Sequence, residues 1–377
     1  MDIDPVLKAL AAALHDEGPA VEIVVSEDGT AVAVPVETLG FEDAAVVVRT
    51  SGSTGTPKAT VLTVDQLAAS SMATAVTLRG EGQWLLALPL QYVAGLQVLA
   101  RSLFAGTRPW VMDLSNGFTP EAFTAAAEEL TDKIRFTSLV PTQLQRLLDS
   151  PSPRTLAALR RFNAILLGGA PSGVGLLDAA KEAGLNVVTT YGSAETCGGC
   201  VYDGRPLEGV QVMLDDGGRI LLGGDTVASG YLDASDSSAE AFFEKDGTRW
   251  YRTNDLGELA DDGTLTVLGR ADDVIITGGV KASAAFIQAE LEKFDGVTAA
   301  FVSGVPSREW GQAVAAYVSV ADTSPEGIRE FTAHSQNALG ALAPKTVLTT
   351  DGLIMLPNGK PDRMAMIGLL TEAHQGE

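Results

Sequence analysis

The sequence predicts an α/β protein. It should have a large N-terminal domain of parallel-rich sheets covered by helices, with a β-rich subdomain, and a small mobile α+β C-terminal domain. Three changes of texture along the chain predict this. Between about residues 21 and 191, short apolar runs alternate with stretches of helical periodicity, as parallel strands and their covering helices do. From about 208 to 268 the chain reads as hairpins. After Gly269-Arg270-Ala271-Asp272, about a hundred residues mix strands and helices in a unit large enough to fold as its own domain. The expected division is therefore 1–271 and 272–377, with the β-rich part at about 205–268 and a hinge at Asp272.

Taken in order, buried strands are expected at Val21–Val25, Ala44–Arg49, Trp84–Leu88, Phe136–Val140, Ala164–Leu167 and Val187–Thr190. Helices are expected at Asp65–Arg79, Pro120–Leu130, Pro141–Leu148 and Gly173–Ala183. One hairpin joins Val210–Leu214 to Arg219–Leu222 through Asp215-Asp216-Gly217-Gly218, and another joins Leu256–Ala260 to Leu265–Leu268 through Asp261-Asp262-Gly263. The last unit should hold strands at Val274–Thr277, Thr298–Val302, Ala313–Val320 and near Val347, with helices at Ala284–Lys293 and Pro325–Leu339.

Composition limits the partners. The 377 residues carry 26 basic and 48 acidic side chains, a formal net charge of −22. Such a surface repels nucleic-acid phosphates and anionic lipid, so neither is expected as a main partner. No apolar run approaches the roughly 18 residues of a membrane helix, so no membrane insertion is expected. The opening Met-Asp-Ile-Asp-Pro lacks the cationic start of a secretory leader, which predicts a cytoplasmic protein. Cys197 and Cys200 are the only cysteines, too few for a disulfide framework and consistent with a reducing compartment. Their C-x-x-C spacing suits a zinc site poorly, because His15, His334 and His374 lie far off in sequence. A redox pair and small residues packing beside the preceding loop both fit, the second better.

Several segments could carry chemistry. Thr50-Ser51-Gly52-Ser53-Thr54-Gly55-Thr56-Pro57-Lys58 can turn several backbone N–H groups toward one anion, with Lys58 as a mobile cation. Pro57 precludes the helix entry of a Walker A loop. The same stretch also fits a flexible Ser/Thr/Gly loop. Tyr191-Gly192-Ser193-Ala194-Glu195-Thr196 follows a buried strand, and ligands of open α/β sheets gather at such strand ends. Glu195 there could give an oxygen to Mg²⁺, or be a surface acid at a helix start. Asp255 could accept from two ribose hydroxyls, or form a turn. Arg270 could meet sugar or phosphate, or make a surface ion pair. Lys360, in Pro357-Asn358-Gly359-Lys360, sits on an expected tight turn, projecting or simply solvated.

In this order, the segments Thr50–Lys58, Tyr191–Glu195, Thr253–Leu256, Gly269–Asp272 and Pro357–Arg363 resemble the motifs of the adenylate-forming acyl-CoA synthetase superfamily. The resemblance spans about residues 44–363. Thr137–Leu144, Leu166–Pro171 and Gly192–Pro206 narrow it to one branch of that superfamily. It implies ATP, Mg²⁺ and coenzyme A acting on a small-molecule carboxylic acid. Thr50, Ser51, Gly52, Ser53, Thr54, Gly55 and Lys58 would embrace the phosphates. Gly168, Gly169, Ala170, Pro171 and Tyr191 would flank the adenine, with Gly192, Ser193 and Thr196 beside them. Glu195 would bind Mg²⁺, Asp255 the ribose, and Arg270 the sugar or α-phosphate. Asp272 would be the hinge and Lys360 the lysine of the first half-reaction. Gly278, Gly279 and Lys281 would lie by the pantetheine channel of the second. The acid pocket would draw on Tyr92, Gly95, Thr142, Gly168 and Ser193.

The chain departs from the superfamily at two places. Pro89-Leu90-Gln91-Tyr92 stands where the superfamily often has Pro-Leu-x-His. Ala194 stands where a threonine hydroxyl precedes the glutamate. Activation of a different aryl or short acyl acid, and a non-catalytic nucleotide- or acyl-binding role, stay open at this stage, as does a homodimer.

Overall fold

The computed structural model describes residues 2–26, 29–50, 58–114, 117–171, 174–232, 235–320, 324–356 and 361–376. The chain divides into two compact units: Met1–Met213, Leu221–Thr253 and Leu259–Leu265 form the first, and Leu214–Ile220, Asn254–Glu258 and Thr266–Glu377 the second.

A seven-stranded sheet dominates the first unit, in the order Arg205–Pro206, Gly198–Tyr202, Val187–Ser193, Ala164–Leu167, Arg135–Leu139, Gln83–Leu86, Trp110–Val111. The five strands from Val187–Ser193 to Trp110–Val111 run parallel, as the strand–helix alternation predicts. Every residue of Arg135–Leu139 and Ala164–Leu167 is buried, the mark of strands covered on both faces. On one face Leu85, Leu139, Ile165 and Leu167 pack with Phe123, Leu144, Leu159 and Leu176 from the helices Pro120–Glu128, Pro141–Leu148, Pro153–Leu159 and Val174–Glu182. On the other lies Val93–Phe104, flanked by Val64–Thr77.

The strands Val21–Val25 and Ala44–Thr50 do not join this sheet, contrary to the single alternating pattern. They form a second sheet in the order Gly230–Tyr231, Lys58–Thr63, Ala44–Thr50, Val21–Val25, Ala31–Pro35, antiparallel except where Ala44–Thr50 pairs with Val21–Val25. The 50–58 segment therefore joins two antiparallel strands, with Thr50 opposite Lys58, rather than leading into a helix.

A third sheet runs Val210–Leu214, Arg219–Gly224, Thr248–Leu259, Phe242–Lys245, with Leu265–Arg270 also paired to Thr248–Leu259. Both expected hairpins are present, but the strand holding Asp255 begins at Thr248. That removes the turn reading of this aspartate.

In the second unit the order is Val280–Ser283, Val274–Thr277, Gly311–Val320, Val297–Ser307, with Thr346–Thr350 parallel to Gly311–Val320. Alternate residues of Gly311–Val320 face two cores. Val314, Ala316 and Val318 meet Ile287, Leu291 and Phe331 from the helices Ala284–Leu291 and Pro325–Leu339, while Ala313 and Ala315 meet Met366 and Leu370 from Arg363–Gly376.

Among the described residues no helix is long and apolar enough to cross a membrane.

Candidate active site

The parallel strands deliver most of the expected pocket residues to one edge. Tyr92 lies beyond Gln83–Leu86, Thr142 opens the helix after Arg135–Leu139, and Gly168–Pro171 follow Ala164–Leu167. Tyr191–Ser193 end the neighbouring strand, and Glu195 comes directly after it. All stand at carboxyl ends of strands that pair side by side, where backbone groups leave the ladder and side chains can converge on a ligand.

Close packing explains several small residues here. A Cβ on Gly168 would stand 2.3 Å from Thr190 Oγ1, and one on Gly95 would stand 2.2 Å from the Pro89 carbonyl oxygen. Gly192 has φ +153°, and its Cβ would fall 2.1 Å from the Gly198 carbonyl oxygen. The glycine lets the strand Val187–Ser193 fold back tightly onto Gly198–Tyr202. Tyr92 caps the helix Val93–Phe104, and burial raises its phenol pKa against a lowering by Gln91.

Glu195 occupies the short 3₁₀ turn Ala194–Thr196 and is only 7% exposed, which removes the surface-acid reading. The turn is held by its own side chains: the Ser193 amide donates to Thr196 Oγ1 at 3.0 Å, and that hydroxyl donates to the Gly198 carbonyl at 2.8 Å. Thr196 is thus committed to the backbone and does not replace the hydroxyl missing at Ala194. Ser193 Oγ is buried and has no hydrogen-bond partner among the described residues, an orphaned group facing the unmet cost of its own desolvation.

Sequence reasoning missed the residue that ties this turn to the 50–58 segment. Tyr231, 2% exposed, pairs with Thr60 at the edge of the second sheet. Its hydroxyl donates to Glu195 Oε1 at 2.9 Å, and Lys58 Nζ lies 4.6 Å from its ring centroid. Burial, the Glu195 carboxylate and Tyr251 all hold the phenol pKa far above its ordinary value, so it remains a donor. Lys58 therefore meets the ring of this tyrosine and Glu195 its hydroxyl. The two-residue strand Gly230–Tyr231 is too short to stand out in a sequence, and its meaning lies in a pairing across the fold.

In the second unit the structure brings together Asp255 and Arg270, with Nη1 and Oδ1 4.0 Å apart and both side chains half-buried. Asp272 lies in the short 3₁₀ turn Ala271–Asp273, and Asp273 pairs with Arg363. Gly278 and Gly279 form the two-residue turn between Val274–Thr277 and Val280–Ser283, with φ +56° and +81°. Lys281 is exposed on the second of those strands. Ser51, Gly52, Ser53, Thr54, Gly55 and Lys360 lie outside the described residues.

Cys197 and Cys200 are unpaired and fully buried. Burial pushes the Cys200 thiol up to about 12 and raises Cys197 further, so neither is a nucleophile at neutral pH. No group of three or more His, Cys, Asp or Glu forms a metal cage among the described residues. Their packing role is structural: the Cys197 carbonyl accepts from Ser70 Oγ and Gln97 Nε2, anchoring the end of the Glu195 turn.

Residues 3–232 match the family of AMP-binding enzymes. The chain belongs to the AMP-binding enzyme family. Among curated relatives, it is 41% identical over 332 residues to the "Probable 2-succinylbenzoate--CoA ligase" of Mycobacterium tuberculosis, covering 86% of this chain and 84% of that one. Among solved structures, it resembles the o-succinylbenzoate CoA synthetase of Bacillus subtilis in complex with the acyl-adenylate intermediate. That match has a TM-score of 0.74 and 27% identity over 89% of this chain and 72% of that one. The same Bacillus enzyme in complex with ATP and magnesium ion gives a TM-score of 0.71 and 26% identity over 88% and 72%. The mixed α/β architecture of this AMP-binding enzyme, with its C-terminal α/β region, agrees with the fold expected from the sequence.

Proposed function

We propose that this AMP-binding enzyme is an AMP-forming 2-succinylbenzoate–CoA ligase of menaquinone biosynthesis, working in the cytoplasm on ATP, the aryl acid and coenzyme A. The observation that carries the reading is the buried Glu195, held by Tyr231 at the carboxyl edge of the parallel sheet with Lys58 against the same ring. The relatives' names supply the acid. The two buried, unpaired cysteines fit a reducing compartment.

The residues present suit a magnesium nucleotide. Tyr231 binds one oxygen of Glu195. A single carboxylate completed by phosphate and water oxygens is the usual way a protein holds Mg²⁺. The orphaned Ser193 Oγ is an uncommitted hydroxyl one residue before Ala194. Bound Mg²⁺ would neutralise phosphate charge, with Glu195 as its ligand.

In the first half-reaction a carboxylate oxygen of the acid attacks the α-phosphorus, and the bond to pyrophosphate breaks. Two anions approach, and unit charges 4 Å apart interact by about 1 kcal/mol in water but ~4 kcal/mol at an effective dielectric of 20. Cationic groups aimed at those oxygens therefore gain most in a dry site. Lys58 and Arg270 supply charge on the phosphates, Asp255 holds the ribose, and Lys360 acts on the reacting oxygens. In the second half-reaction the CoA sulfur attacks the acyl carbon and AMP leaves with the bonding electrons. Lys360 has to withdraw for the thiol to enter, so the C-terminal domain turns at Asp272, with Gly278, Gly279 and Lys281 beside the pantetheine arm.

Pyrophosphate release from ATP with a panel of aryl and short acyl acids, with and without CoA, tests the reading. The highest kcat/KM is expected with 2-succinylbenzoate, with AMP and the CoA thioester appearing together. Preference for another acid would move the substrate, and nucleotide binding without pyrophosphate release would point to a non-catalytic member of the fold.

A further inference from the structure

The first unit has a cavity away from the carboxyl edge of the sheet. It has a volume of about 530 Å³ and lies between the helices Val64–Thr77 and Val93–Phe104, at the start of the strands holding Trp84 and Phe136. Its walls are apolar: Met72 and Val76 are 69% and 55% exposed, Phe104 stands at the rim, and the Trp84 and Phe136 rings pack 5.0 Å apart at the base. Arg101 lies nine residues after Tyr92, roughly 13 Å along the same helix, so the cavity is separate from the expected acid pocket.

Two polar side chains that line this cavity are more than nine-tenths buried and incompletely satisfied. Arg101 donates from Nη2 to the Tyr202 hydroxyl at 3.3 Å, and its guanidinium lies 5.2 Å from the Trp84 ring centroid. Its Nε has no partner, nor does Ser71 Oγ, and among the described residues no carboxylate pairs with this arginine. A guanidinium does not shed its proton, and a buried cation without a counter-ion is costly. The carbonyls at the end of its own helix offset only a partial charge. Arg79 and Glu81, of opposite charge, also line the cavity.

We propose that this cavity binds a small carboxylate with an aromatic or branched apolar body. Its anionic head pairs with the Arg101 guanidinium, and its body rests on Met72, Val76 and Phe104. A volume of this size falls within the range of small-molecule pockets, roughly 300–1,000 Å³. Charge and shape agree on the ligand, because a planar fork matches a carboxylate and most of the remaining wall is apolar.

The probe is 1-naphthoate, titrated by calorimetry into the whole protein, with neutral 1-naphthalenemethanol as its uncharged counterpart. The wild type should bind naphthoate saturably, and the alcohol tenfold or more weakly. Met72→Glu alters an exposed position and so should keep the fold, checked by thermal melting, yet it should weaken naphthoate at least tenfold. Arg101→Met should weaken naphthoate similarly and abolish the preference over the alcohol. Unchanged affinity in Met72→Glu would put the probe elsewhere and overturn the proposal, as would the absence of saturable binding. If Met72→Glu instead converts a dimer to a monomer in sedimentation while the wild type ignores naphthoate, a second copy covers the groove and the proposal fails.

Discussion

The Tyr231 hydroxyl donates to Glu195 Oε1 at 2.9 Å, and this bond joins two sheets whose strands lie far apart in sequence. Tyr231 belongs to the edge of the mostly antiparallel sheet that also presents Lys58. Glu195 belongs to the turn that ends a parallel strand. A hydrogen bond to a charged group contributes about 1.5–3 kcal/mol. Tyr231→Phe should therefore slow adenylation about tenfold or more and raise the Mg²⁺ concentration for half-maximal rate, because the carboxylate is no longer fixed. A purely structural tyrosine would lower the melting temperature and leave the Mg²⁺ titration where it was.

Asp255 and Arg270, 4.0 Å apart and partly exposed, contribute at most about 1 kcal/mol to stability as an ion pair. Asp255→Ala should thus melt within a few degrees of the wild type but raise KM for ATP roughly tenfold to a hundredfold, the loss of a carboxylate hydrogen-bonded to ribose. A large drop in melting temperature with an unchanged KM would assign the aspartate to the fold instead.

Lys360→Ala should cut acyl-adenylate formation by about 10²–10³, the usual loss of a transition-state cation or donor, and spare thioester formation from supplied acyl-adenylate. Rapid-quench assays of each half-reaction separate the two. Equal losses in both would refute the division of labour between the steps.

Alkaline pH should weaken the fold through the buried thiols. Cys200 is pushed up to about 12 and Cys197 also upward, whereas an unfolded thiol ionises near ~8.5. Below that value both states keep the proton, and these thiols add no pH dependence. Above it the unfolded chain releases protons that the folded chain retains, so stability falls as pH rises toward 12. The slope approaches ~1.4 kcal/mol per pH unit for each thiol. Urea midpoints at pH 8 and pH 10 should differ more in the wild type than in Cys200→Ala, and equal differences would remove the thiol from this account.

Legibility followed locality. The strands Val21–Val25, Ala164–Leu167 and Val274–Thr277 and the helices Pro141–Leu148 and Pro325–Leu339 stand at the bounds their patterns predict. Each is set by residues a few positions apart. The helix Asp4–Leu14 carries the same kind of signal, with Val6, Leu10, Ala13 and Leu14 buried behind an early proline, and adds to the helices expected from the sequence. Val93–Phe104, by contrast, was hidden. Gly95–Ser102 are all buried, so the helix has no polar face to reveal its period and merges with the apolar strand before it.

By itself the sequence determined the fold class, the order of the motifs and the chemical types that a nucleotide-activating site requires, because short-range periodicity and a handful of functional groups encode them. Only the tertiary structure decided that Ala44–Thr50 leaves the parallel sheet, that Thr196 is spent on its own backbone while Ser193 is not, and that Tyr231 stands between Lys58 and Glu195. Those relations depend on which donors and acceptors meet across strands distant in sequence. A hydrogen bond's partner is fixed by position to within a few tenths of an ångström, and no local pattern carries that information.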